Sequence, residues 1–271
     1  MEISYSKFIS YIDQTLKNSK KNIVYLASSE EDAISSHRLI KFLFPGEDVL
    51  FFPSMDSVAY DRISPSARIL SERAYLLTKL CSNNSRKILI TNTINLFQKY
   101  PKLDYFKNSF LNLSIGKKFS DGELENFLLK NGYTKSPCAI EPGEFSKRGD
   151  IIDVVLYSGN SYRINFEWDK ISQIKEFDPE TQISKEKVNQ IELYKASELT
   201  LDDELIENFK GEYLTEFGIG KAGEQFFEKI SNGIKFSGAE SLIGAFFKEP
   251  EFLLDYIDSP EIYASYLSSG E

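Results

Sequence analysis

The stretch Glu141–Gln182, EPGEFSKRGDIIDVVLYSGNSYRINFEWDKISQIKEFDPETQ, reads as consecutive β-strands joined by tight turns. Ile151–Tyr157 and Tyr162–Trp168 are rich in β-branched and aromatic residues, which suit a pleated, half-buried surface. Ser158-Gly159-Asn160-Ser161 supplies turn formers between them. A third strand, Ile171–Phe177, ends at Asp178-Pro179-Glu180, because proline cannot continue a hydrogen-bonded ladder. Arg148 enters the first strand and Arg163 sits in the second. If the strands pair across their turn, both guanidinium groups reach one sheet surface and form a cationic patch. Two readings of the pair stay open. They are exposed residues in ordinary ion pairs, worth ~0–1 kcal/mol each, or a protein-binding pair whose planar forks grip carboxylates.

Outside this stretch the pattern changes. Phe8, Ile9, Ile12 and Leu16 recur at helical spacing, and Asn22–Ala27 is a short strand of the buried type. Ser28-Ser29-Glu30-Glu31 looks like a helix start, with Ala33, Ile34, His37, Ile40 and Leu43 as its apolar stripe until Pro45-Gly46. Val49–Phe52 is a strand, Ser64-Pro65 opens a helix through about Leu80, Lys87–Thr91 is a strand, and Thr93 begins a helical piece. Strands alternating with helices predict a parallel α/β sheet through about residue 110. Ser120-Asp121-Gly122-Glu123 is a capping-box start for a helix that Asn131-Gly132 stops. Leu201-Asp202-Asp203 begins a further helix, and the last dozen residues, after Pro260, lack a core pattern and read as a frayed end. The expected organisation is an α/β domain at 1–111, an inserted small α+β domain of antiparallel strands at 112–197, and a return segment at 198–271.

Composition narrows the function. A net charge of −9 opposes a broad nucleic-acid-binding face or an anionic-membrane binder, though not a local basic patch. Cys81 and Cys138 stand far apart with no CxxC or Cys/His cluster, so neither a disulfide scaffold nor a metal site is expected. No apolar run approaches the roughly 18 residues of a membrane helix, and the charged, amphipathic N-terminus is unlike a signal peptide; a cytoplasmic setting is the expectation.

The search for chemistry returns little. A phosphate loop needs GxxxxGK[ST], whose backbone amides cradle phosphates while lysine and a hydroxyl serve phosphate and magnesium. Gly220-Lys221 has Thr215 and Ala222 at the diagnostic places, and Gly116-Lys117 has Leu111 and Lys118. Gly218-Ile219-Gly220-Lys221-Ala222-Gly223 only loosely echoes GxGxxG, with no good strand before it. His37, the single histidine, sits on an apolar stripe and reads as a packed residue rather than a general base. Neither cysteine has a base near it in sequence. Glu141 with Glu144, and Asp150 with Asp153, read as solvated strand-edge charges before acid–base pairs. No catalytic residue and no cofactor are expected.

Several segments, in order, resemble the bacterial transcription-repair coupling factor family, Mfd, in its UvrB-like N-terminal region. They are FPSMDSVAYDRISPSARILSERAYLLTKL at 52–80, EPGEFSKRGDIIDV at 141–154, YRINFEWDKISQIKEFDPETQIS at 162–184 and GAESLIGAFFKEPEFLLDYI at 238–257. The resemblance runs from about 20 to 258. The RGDIID piece alone is shared with UvrB, whereas UvrB's intact phosphate loop has no counterpart here, which favours the coupling factor. It implies a degenerate, helicase-like α/β domain interrupted by a small domain that docks onto UvrA: a non-catalytic adaptor for transcription-coupled nucleotide excision repair. By position it places Arg148, Arg163 and Phe166 on the UvrA-contacting surface. Stalled RNA polymerase, DNA, ATP and magnesium would be engaged only by domains for which 271 residues leave no room. The chain is therefore expected to be either a fragment of a family protein or the product of a truncated reading frame, without ATPase activity of its own. Departures stand beside the site: Glu167-Trp168 replace the usual Phe-Gly, and Lys170 replaces an acidic residue. The alternative is a divergent UvrB-type, ATP-dependent DNA helicase relative.

Overall fold

A computed structural model of the chain describes residues 2–3, 5–57, 63–81, 85–107, 110–218, 224–235 and 237–265. The loose glycine echo at 218–223 therefore falls, beyond Gly218, outside the described residues. The first unit runs β1 (Glu2–Ile3), α1 (Tyr5–Asn18), β2 (Ile23–Ala27), α2 (Glu30–Leu43), β3 (Asp48–Phe52), α3 (Ala67–Cys81) and β4 (Lys87–Asn92). Its strands form a wholly parallel sheet in the order β1-β13-β2-β4-β3, where β13 is Glu261–Ser265. Of the segment expected to fray, Glu261–Ser265 is thus a strand, and residues 266–271 lie outside the described residues. The strand crosses back into the sheet beside β2, pairing Ile262 with Val24 and Ala264 with Leu26. Its pattern was unreadable because this five-residue strand is only half-buried, with Ile262 43 % exposed, and shows no apolar–polar alternation.

Strand alternation sends successive side chains to opposite faces. Ile23, Tyr25 and Ala27 meet Phe8, Ile12, Ala33 and Ile40 of α1 and α2. Val24, Leu50, Phe52 and Leu89 meet Ala74, Leu77 and Leu80 of α3 on the other side. A short helical turn at Thr93–Leu96, then α4 (Asp104–Lys107), leads to β5 (Leu111–Ser114).

The second unit comprises α5 (Asp121–Lys130), β6 (Thr134–Lys135), β7 (Glu144–Arg148), β8 (Ile151–Val155), β9 (Ser161–Glu167), β10 (Lys170–Phe177), β11 (Ser184–Lys187) and β12 (Gln190–Leu193). Six strands make one sheet, β11-β10-β9-β8-β7-β6, antiparallel except at β6–β7. The incoming β5 and outgoing β12 pair with each other, Leu111 opposite Leu193. Helix α5 starts in a capping box between Ser120 and Glu123 and ends at the C-cap Asn131. Gly132 follows at φ +86, where a Cβ would meet Ser197 Cβ at 2.5 Å, so only glycine lets the helix end pack on the outgoing chain. Leu124 and Leu128 of α5 bury one sheet face with Phe145, Ile152, Val154, Ile164, Phe166 and Ile174.

Helices α6 (Asp203–Phe217), α7 (Gln225–Ser231) and α8 (Ile243–Phe246) complete a third apolar cluster around Phe209, Tyr213 and Phe246. One buried charge joins the parts. Arg73 on α3, with no exposed surface, donates through Nε to Glu198 and through Nη1 to Pro53 O at 2.7 Å and Asn95 Oδ1 at 3.1 Å. Its Nη2 donates to Gln98 Oε1 at 3.0 Å and Tyr100 OH at 3.4 Å, and the guanidinium lies 4.5 Å from the Phe52 ring centre. Among the described residues no helix is long and apolar enough to cross a membrane.

Arg73→Ala strands the carboxylate of Glu198 in the interior and is expected to lower unfolding free energy by about 3–5 kcal/mol. Arg73→Met with Glu198→Leu should recover much of that loss, and a double-mutant cycle by urea unfolding reads the coupling. Burial lowers the Lys195 pKa to about 8, while its Nζ lies 4.1 Å from the Tyr105 ring centre. Above pH ~8 the folded chain releases a proton that the unfolded chain holds to pH ~10, so this residue makes stability rise with pH across that window. Lys195→Met should flatten the rise in denaturation midpoints measured from pH 7.5 to 9.5, a range set by those two values.

Candidate partner interface

The face of the six-stranded sheet opposite α5 carries the arginines. The register sets one row across five strands: Ser146, Asp153, Arg163, Lys175, Lys187. The neighbouring row is Arg148, Ile151, Asn165, Gln173. Arg148 ends β7, a strand of its own, rather than entering the strand that begins at Ile151. Gly149-Asp150 makes the turn between them, and Gly149 holds φ +58.

Asp153 unites the two rows. Arg163 Nε donates to Asp153 Oδ1 at 2.7 Å and Arg163 Nη2 to Oδ2 at 2.9 Å, a bidentate fork. Arg148 Nη2 donates to the same Oδ2 at 2.5 Å. The Asp153 side chain is 1 % exposed, Arg163 16 % and Arg148 52 %. Asp153 is therefore not the solvated strand-edge carboxylate that the sequence suggests: alternation points it at the arginine face, and two guanidinium groups close over it. Arg163 is fixed further, with Nη1 donating to Ser184 Oγ at 3.0 Å and Gln182 O at 3.2 Å and its guanidinium 5.1 Å from the Phe177 ring centre. Hydrogen bonding to Asp153 pushes its pKa above the already high arginine value.

Two cations on one carboxylate leave a net positive charge, which Lys175 and Lys187 extend along the row. Ile140, 48 % exposed, and Ile183, 65 % exposed, lie on segments bordering the face. Phe166, expected beside the arginines, lies beneath them. It is 4 % exposed within the core under α5, because alternation along β9 sends Arg163 and Phe166 to opposite faces. Its role in this structure is to support the sheet. The sequence reading missed Asp153, for which the signal was a lone carboxylate inside the apolar run Ile151-Ile152-Asp153-Val154-Val155.

The parallel unit presents a different surface. Open α/β sheets take ligands beyond the carboxyl ends of their strands, where a helix N-terminus attracts anions. At the end of β2, α2 begins with Glu30, Glu31 and Asp32. Glu30 accepts from Ser54 Oγ at 2.9 Å, and Asp32 accepts from Ser28 N at 3.0 Å. A cavity of about 660 Å³ beyond β3 and β4 is lined by Glu198, Glu212, Glu216 and Glu240 against Arg73 and Lys99. Carboxylates outnumber cations at both places, which disfavours phosphate. Among the described residues no group of three or more His, Cys, Asp or Glu could hold a metal ion.

Arg163→Ala leaves Asp153 with Arg148 alone and is expected to destabilise the chain by about 2–3 kcal/mol, short of a fully stranded buried charge. Arg148→Ala keeps the bidentate fork and should stay within about 1 kcal/mol of the parent. Guanidinium unfolding of both variants tests this asymmetry.

Comparison with known proteins follows the same division. The UvrB interaction domain family matches residues 111–199. A transcription-repair-coupling factor of Rickettsia bellii is 40% identical over 251 residues, covering 93% of this chain and 22% of the relative. One from Rickettsia conorii is 41% identical over 92% of this chain and 22% of its own length. One from Escherichia coli is 28% identical over 84% of this chain and 20% of its own length. The chain thus spans about a fifth of the length of the curated relatives it matches.

Proposed function

Residues 111–199 match the UvrB interaction domain family and most of the chain is similar to about a fifth of the transcription-repair-coupling factors, and from that premise we propose that it is a non-catalytic adaptor that recruits UvrA in transcription-coupled nucleotide excision repair. In this reading the working part is the insert at 112–197, carried by a UvrB-like α/β unit built from 1–111 and 198–271. The observation that carries it is the Asp153-centred arginine pair. A protein of net charge −9 concentrates fixed cations on one sheet face and holds them there with a buried carboxylate. Such a face suits an acidic partner surface, and its contribution falls with ionic strength. Stalled polymerase and DNA would be engaged by other parts of a coupling factor. The acids at the start of α2 and around the 660 Å³ cavity support a nucleotide-independent role for this chain.

Isothermal calorimetry with purified UvrA tests the proposal. Saturable binding is expected, weakening as salt rises. Arg148→Glu, at a half-exposed position, should lower affinity about tenfold or more if it lies at the interface centre. No UvrA binding by the parent chain, or unchanged affinity in Arg148→Glu with Lys187→Glu, overturns the reading. A flat ATP titration is expected, and saturable ATP binding would favour a UvrB-type helicase relative instead.

A further inference from the structure

Trp168 is the only tryptophan in the chain, and it is 97 % exposed. It occupies the first position of the two-residue turn, Trp168-Asp169, that joins β9 to β10, with Glu167 paired to Lys170 across the hairpin. Its φ is +57, while Asp169 is not among the residues with positive φ. A two-residue hairpin turn with positive φ at its first position is the II′ geometry, which favours glycine there. A large side chain at that place adds backbone strain and gains no packing to offset it.

The turn is also firmly mounted. Phe119 N donates to Asp169 O at 2.9 Å, Ile171 N to Lys117 O at 3.1 Å, and Gly116 N to Ile171 O at 2.8 Å. Lys118 forms a bridge with Lys170. The exposed indole therefore stands on a rigid base, and ordering it on binding costs little entropy. Lys118 and Lys170 stand at the turn together with Glu167 and Asp169, all exposed, and the Lys117 ammonium next to them donates to Asn112 O. Along β9 the indole lies three residues from Asn165, about 10 Å at the strand rise, and Arg148 stands two strands across in the Asn165 row, about 14 Å from the tip. One standard interface, about 800 Å² per partner, covers both.

We infer that Trp168 is the central anchor of the partner interface, inserting its indole into an apolar slot rimmed by carboxylates on the UvrA-type partner. The inference rests on the adaptor reading. Charge complementarity selects the occupant: Lys117, Lys118 and Lys170 outnumber Glu167 and Asp169 at the hairpin tip, and with Arg148 two strands away they match a rim richer in carboxylates than in cations. Tryptophan is a frequent hot-spot residue in desolvated pockets. The anchor complements the arginines, which steer the approach and set orientation.

The test uses opposite signs. Trp168→Gly should leave the thermal midpoint of the free chain unchanged or raised, because glycine suits the backbone and no packing is lost. The same variant should weaken UvrA binding about tenfold or more, the size of a hot-spot truncation, with Trp168→Phe between it and the parent. The chain labelled with 5-hydroxytryptophan, excited where ordinary tryptophan is silent, should lose iodide quenching when UvrA is added. Parent-like affinity in Trp168→Gly, or an indole that stays open to iodide in the complex, overturns the inference. Arg148→Glu weakening binding while Trp168→Gly does not leaves the adaptor reading standing and removes only the anchor. No UvrA binding by the parent chain removes both. Iodide protection by single-stranded DNA, or by self-association without UvrA, also overturns it.

Discussion

Arg73 is the constraint on which the arrangement of the molecule depends. A guanidinium group offers five N–H donors and cannot shed its charge in a protein, so burying it demands acceptors in a fixed planar pattern. Pro53 follows β3, Asn95, Gln98 and Tyr100 follow β4, and Glu198 lies on the chain leaving the second unit. Those segments meet correctly in one arrangement only. The ion pair itself contributes little net stability, because desolvating both charges offsets most of their attraction. Its weight lies in the penalty for any packing that separates them. The third apolar cluster, beginning at Leu199, follows directly from the anchored glutamate.

The second arginine centre uses the same chemistry at the surface. Around Asp153 two guanidinium groups share one carboxylate, so the pair neutralises the buried charge and leaves a cation facing out. Arg163 is the fixed member, forked on Asp153 and lying over Phe177, and Arg148 is the accessible one. This division lets the sheet hold its cationic surface in place without depending on the residue that meets a partner. Acids gathered at the start of α2 and around the cavity of the parallel unit keep the opposite sign there. The row around Asp153 thereby gives the acidic chain one sheet face with fixed positive charge.

The prediction that Arg163→Ala is more destabilising than Arg148→Ala could not have been made from the sequence. Both residues were legible as arginines of a strand-rich insert, and their arrival on one surface followed from alternation. Which of them is buried, and that Asp153 rather than solvent sits between them, depends on the register of three strands. Phe166 shows the same limit: membership of the strand was readable, but the face was set by the pairing. Arg73 left a faint trace, since Arg73, Leu77 and Leu80 share a helix face and a charge in that stripe needs a partner. The partner, Glu198, lies 125 residues away and carries no local sign of the role.

By itself the sequence determined what local physics controls. The capping box at Ser120, the helix end at Asn131-Gly132, the α/β alternation of the first hundred residues and the strand run of the insert all rest on interactions within a few residues. Only the tertiary structure decided that Glu261–Ser265 is an inner strand, that β5 and β12 pair with each other, and that Arg73 binds the parts together. Each of these depends on contacts between residues far apart in the chain. The opening stretch stands between the two regimes. Its strands and arginines could be read directly, while the buried Asp153 beneath them and the exposed Trp168 on its hydrogen-bonded turn required the sheet to be assembled.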